Sequence, residues 1–108
     1  MNKASITDAI RILGDLLNGL EDGYWEASTI EMKDLFYDLI SAVNMEITEL
    51  SKLSIQDHHL EFEPVTSVFR RSAKHLADLH ASLNQRVARA STADRLDQLL
   101  SECQKLFP

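Results

Sequence analysis

Cysteine occurs once in the 108 residues, so the chain cannot close an internal disulfide. Two prolines and three glycines are too few for a chain of many tight turns, which argues against an all-β sandwich or barrel. No uninterrupted run of 18 apolar residues exists, so the sequence offers nothing to span a bilayer. The opening MNKASITDAIRILGDLL has no unbroken apolar stretch and no small-residue cleavage site, and it is not expected to act as a secretory signal. Basic residues are outnumbered 11 to 17, for a net charge of −6, and such a balance disfavours general binding to nucleic-acid phosphates. What remains is ordinary globular material, 44% hydrophobic and 26% charged, of a length that suits a single domain over 1–108.

The stretch from Thr29 to Leu53 is the strongest local signal. At 100° per residue, Met32, Phe36, Leu39, Val43, Ile47 and Leu50 form one apolar stripe, widened by Leu35, Ile40 and Leu53. Ser28, with Glu31 three residues on, has the S-x-x-E spacing of a capping box. Before it, Ile6, Ile10, Leu13, Leu17 and Leu20 make a first helix, with Ser5 or Thr7 as its cap and Gly23 as its stop. Gly14 lies beside that stripe, either for a close helix approach or merely tolerated. Tyr24 and Trp25 then fall in a connection, either stapled onto the core or standing exposed as a contact site. Burial is the favoured reading for large aromatics.

Pro64 suits the first turn of a third helix carrying Val65, Val68, Phe69, Leu76, Leu79, Leu83 and Val87. Ser91 or Thr92 caps a fourth, with Leu96, Leu99, Leu100, Cys103 and Phe107 on its apolar face. Cys103 in that stripe reads as a buried thiol in a reducing cytoplasm. The expected architecture is an all-α, antiparallel up-and-down four-helix bundle. Its helices span about 5–20, 29–54, 64–89 and 92–106, the middle two forming a long central hairpin.

Those boundaries predict unequal rods. The second and third helices come out at about 36 to 38 Å, the first and fourth at about 22 to 24 Å. Short connections place both short helices at one end of the hairpin. The other end, built by Ile47, Leu50, Leu53, Ile55, Leu60, Phe62, Val65, Val68 and Phe69, is left open. Nine apolar side chains exceed what a monomer usually exposes. Either the 54–63 loop folds back with Leu60 and Phe62 as its plug, or two protomers pack these ends about a two-fold axis. The homodimer is the favoured expectation, since a ten-residue loop covers only part of such an area.

Few residues suggest chemistry. Glu46 falls on the apolar stripe, where an unpaired carboxylate is costly, and an ion pair with a basic residue of the third helix is the plain explanation. The other is an E-x-x-E pair, Glu46 and Glu49, holding a divalent cation. Met45-Glu46-Ile47-Thr48-Glu49-Leu50, followed by His75-Leu76-Ala77-Asp78, resembles the all-α nucleotide pyrophosphohydrolases of the MazG type. Those use E-x-x-E and E-x-x-D on successive helices to hold magnesium against a nucleoside triphosphate, and they assemble as dimers or tetramers. The resemblance implies Glu46, Glu49 and Asp78 as magnesium ligands. His75 stands where the family has glutamate.

His58, His59, His75 and His80 are the only histidines. His75 and His80 sit about 140° apart around one helix and cannot share an ion from one face, while His58 and His59 read as a solvated loop pair, so no metal site is favoured. Should His80 pack against the open end, acidification would weaken association. Arg70, Arg71, Lys74, Arg86 and Arg89 read as a solvated basic face. No phosphate-binding, nucleophile-elbow, C-x-x-C or H-E-x-x-H motif occurs. The sequence thus leads to a small, acidic, cytoplasmic, non-enzymatic protein-interaction module that self-associates through the 47–69 end. The alternative is a magnesium-dependent nucleoside triphosphate pyrophosphohydrolase or a degenerate relative.

Overall fold

Amphipathic stripes of 3.6-residue period bury best against one another, and in the computed structural model, which describes residues 4–108, they do so as a helical bundle. The elements are α1 (Ile6–Glu26), α2 (Ile30–Ser51), α3 (Ser67–Ala81), a single-turn α4 (Leu83–Arg86) and α5 (Ala90–Gln104), with a 3₁₀ turn at Ile55–Asp57. Helix α1 packs on α2 and α5, and α3 packs on the same two, so four antiparallel helices close a ring in up-and-down order. One apolar cluster fills it, with Leu13, Leu16, Leu20, Phe36, Val43, Leu50, Phe69, Leu79 and Leu96 fully enclosed.

The rod lengths differ from the expectation. Helices α1 and α2 are the long pair at 21 and 22 residues, about 32 Å each, whereas α3 and α5 have 15 residues and reach about 22 Å. Gly23 does not stop α1. Its missing side chain instead lets the Phe36 ring approach, since a Cβ there would lie 2.5 Å from Phe36 Cε1, and the helix runs on through Tyr24 and Trp25 to Glu26. Gly14 has nothing within 4 Å of its Cβ position, so it is tolerated and serves no close approach.

Helix α3 starts three residues later than expected. Thr66 caps it by accepting from the Phe69 N–H, while Pro64 stays in the extended connection. The expected third helix also breaks at Ser82, whose hydroxyl donates back to the Asp78 carbonyl and accepts from Arg86 Nε. The chain turns there, and Leu83 and Val87 enter the core. Thr29, not Ser28, caps α2, accepting from the Met32 N–H. Arg89 occupies the cap position of α5 with no side-chain bond, and the Thr92 hydroxyl, a cap candidate, donates to Glu26 instead.

At the far end of α2 the connection folds back over the start of α1. Three of the four N–H groups that any helix leaves unpaired at its start find acceptors here: Ile6 donates to the Leu60 carbonyl, Thr7 to that of His58, and Asp8 to the Ser5 hydroxyl. Asp8 returns a carboxylate oxygen to the Ser5 N–H, completing a capping box. The Phe62 N–H donates to the Ala4 carbonyl, and the Phe62 side chain is buried in the core. Stacking of Phe69 on Phe107, with centroids 4.8 Å apart, closes this end from the α5 side.

Candidate interaction surface

The end predicted to lie open is largely covered by its own chain. Leu50, Phe62 and Phe69 belong to the core, and Ile47 and Val68 are half-buried. The connection supplies the plug through Phe62, but Leu60 points out. Leu53, Ile55, Leu60 and Val65 stay exposed, from 38% for Leu53 to 85% for Ile55. The wholly bare pole is therefore corrected to a patch of four side chains, because α1 is long enough to reach this end and its first turn recruits the connection.

Glu46 is fully buried on α2, and among the described residues neither an arginine, a lysine nor a histidine pairs with it. Its carboxylate accepts from the Val65 N–H at 2.7 Å, and from the Thr66 N–H and hydroxyl, each at 2.9 Å. These donors stand at the start of α3, where the helix dipole also favours a negative charge. The carboxylate thus fastens α2 to the start of α3. Arg70, a partner the sequence offered, instead donates Nε and Nη2 to the Pro64 carbonyl and braces the same connection.

The ligand set implied by the pyrophosphohydrolase resemblance does not assemble. Glu46 is committed to the connection, Glu49 pairs with Lys52 at 3.0 Å on the surface, and Asp78 lies exposed on α3. Among the described residues no three His, Cys, Asp or Glu side chains converge as a metal site.

Two grooves flank α3. The larger, about 330 Å³, runs between α3 and α5 over Ala73, Leu76, Ala77, Leu100 and Phe107, with His80 and Asp97 on its rim. His80 Nε2 lies 2.7 Å from Asp97 Oδ1 and 3.5 Å from Ser101 Oγ. A serine, a histidine and an aspartate meet here, yet both partners address the same ring nitrogen. A relay needs the carboxylate on one nitrogen and the hydroxyl on the other, so this trio is not arranged as one. His80 lies in the last turn of α3, far from the connection, and the expected pH effect of His80 on the 47–69 end loses its basis. Cys103 borders the groove, but burial pushes its thiol up to about 12, away from thiolate chemistry. The smaller groove, about 250 Å³ between α2 and α3, carries Asp38, Arg71 and His75.

The less favoured alternative for the two aromatics, an exposed contact site, is what Trp25 adopts where α1 turns into α2. Trp25 and Ile30 are each 76% exposed and Tyr37 is 61% exposed. Tyr24 is half-buried and meets Trp25 edge to face at 5.3 Å. Lys33 Nζ donates to the Tyr24 carbonyl at 3.0 Å and sits over both rings, 4.5 Å and 5.8 Å from their centroids. The signal was available: Ile30 and Tyr37 stand seven residues apart, on a face of α2 away from its core stripe.

Compared with protein families, curated proteins and solved structures, the chain matches none. No helix among the described residues is long and apolar enough to cross a membrane.

Proposed function

We propose that this chain is a non-catalytic helical interaction module that associates with a second copy of itself through the end built by residues 53–65. The observation that carries the reading is the cluster of Leu53, Ile55, Leu60 and Val65, exposed around a connection that is otherwise tied down by Glu46, Arg70 and the start of α1. A patch held on rigid backbone loses little entropy on docking, and a two-fold axis lets the same four residues serve both partners. The patch is small, so the association is weak and reversible. The single buried thiol suits a reducing compartment such as the cytoplasm.

Sedimentation velocity tests this reading. The expected result is a concentration-dependent shift from monomer to dimer in the micromolar range, abolished by Ile55→Asp, which changes a side chain with no part in the core. A strict monomer at all concentrations, or a dimer indifferent to Ile55→Asp, overturns it.

A further inference from the structure

We infer that the Trp25–Ile30–Tyr37 surface is a docking site for a cationic amphipathic helix of a partner protein. The apolar centre is large and pre-ordered. Trp25 rests against Tyr24, Tyr24 is fixed by Lys33, and Lys33 itself stands between Ile30 and Tyr37 on the same flank of α2. Rigid aromatic side chains give contact area at little entropic cost, and tryptophan and tyrosine dominate the energetics of protein interfaces.

The exposed side chains one turn from this centre on α1 and α2 include two carboxylates. Glu21 precedes Trp25 by one helical turn on α1, and Asp34 lies one turn from both Ile30 and Tyr37 on α2, each exposed. The cation inside the patch, Lys33, is occupied by the Tyr24 carbonyl and the two rings. Arg95, across α1 on α5, is paired with Asp22 at 3.0 Å, and Arg86 is turned to Ser82 and Met32. An apolar centre with an acidic border is complementary to an apolar stripe flanked by lysine or arginine. A second copy of this chain fits poorly, since it would bring Glu21 and Asp34 against the same acidic border.

This site lies at the opposite end of α2 from Leu53 and Ile55, so it and the self-association fail independently. Trp25 is the only tryptophan, and its emission reports the surface directly. The probe is a designed leucine–lysine helical peptide of about 18 residues, five turns, beside a leucine–glutamate peptide with the same apolar stripe. The lysine peptide is expected to shift Trp25 emission to the blue with saturation. Binding should weaken about tenfold in Tyr37→Ala and in Ile30→Asp, both with unchanged circular dichroism, and stay unchanged in Ile55→Asp. The glutamate peptide should produce no shift. Equal binding of the two peptides, no binding, or indifference to both Tyr37→Ala and Ile30→Asp overturns the proposal. So does a blue shift that appears on raising protein concentration alone, which would assign the surface to a second copy.

Discussion

Thr66 gives both its backbone N–H and its hydroxyl to one oxygen of Glu46, while the other oxygen takes the Val65 N–H. The same hydroxyl accepts from the Phe69 N–H, so one buried carboxylate on α2 organises the start of α3 through a single threonine. A charged group is tolerated at zero exposure because every short contact it makes is with a donor.

Replacing Glu46 by Gln keeps the shape and removes one acceptor. An amide nitrogen would then face either the Val65 N–H or the pair of donors from Thr66, leaving buried donors opposed. The expected cost is about 2 kcal/mol, with Glu46→Leu costing at least as much, read from the urea midpoint at constant slope. Magnesium, with or without a nucleoside triphosphate, should leave the thermal midpoint of the native chain unchanged. A rise of several degrees would mean that Glu46 is free to bind metal and that its role as a fastening is wrong.

Two of the three α1 glycines, Gly14 and Gly23, should respond in opposite directions. Gly14→Ala places a methyl in open space within a long helix and is expected to stabilise by about 1 kcal/mol. Gly23→Ala puts the same methyl 2.5 Å and 2.6 Å from the edge of Phe36, a ring with no exposed surface, and should cost about 1 to 3 kcal/mol. Equilibrium unfolding of both variants checks the pair, and matching signs would contradict the packing around Phe36.

The periodicity of the chain was enough to read the helical class, most core positions and the burial of Cys103. Where it misled, the cause was a contact between residues distant in sequence. Gly23 looks like a helix stop until Phe36 arrives against it. Ser91 and Thr92 look like caps, but the Thr92 hydroxyl is drawn 2.6 Å from Glu26, 66 residues away. The break at Ser82 is the exception, made by local bonds to the Asp78 carbonyl and from Arg86, with Ser82 and Asn84 both weak helix formers. The apparent inequality of the hairpin followed from these boundary shifts, and with it the bare pole. Burial is the favoured reading for Trp25 from the general habit of large aromatics, yet of the two aromatics in that turn only Tyr24 packs against the core. Glu46 was recognisable as anomalous, but two of its three donors are backbone amides, which a sequence does not mark, and the third is the hydroxyl of Thr66, 20 residues away.

Cys103 supplies the clearest pH dependence. Its thiol is 1% exposed, and burial raises its pKa from 9.0 to about 12. Below pH 9 the group is neutral whether the chain is folded or not, and its contribution is fully present. Above pH 9 the unfolded chain releases the proton first, so the folded state binds more protons and stability falls as pH rises towards 12. At about 1.4 kcal/mol per pH unit the loss reaches about 2 kcal/mol near pH 10.5. Other groups titrate in this range, so the measurement is a comparison. Urea unfolding of the native chain and of Cys103→Ala, from about pH 8 to pH 10.5, should show the native chain losing its advantage by that amount relative to the variant. The alanine variant pays a constant packing cost that does not change with pH. A gap between the two that stays fixed across the range would mean that the sulfur reaches solvent as a thiolate in the folded chain, and that the packing of α5 against α3 at this position is looser than its burial implies.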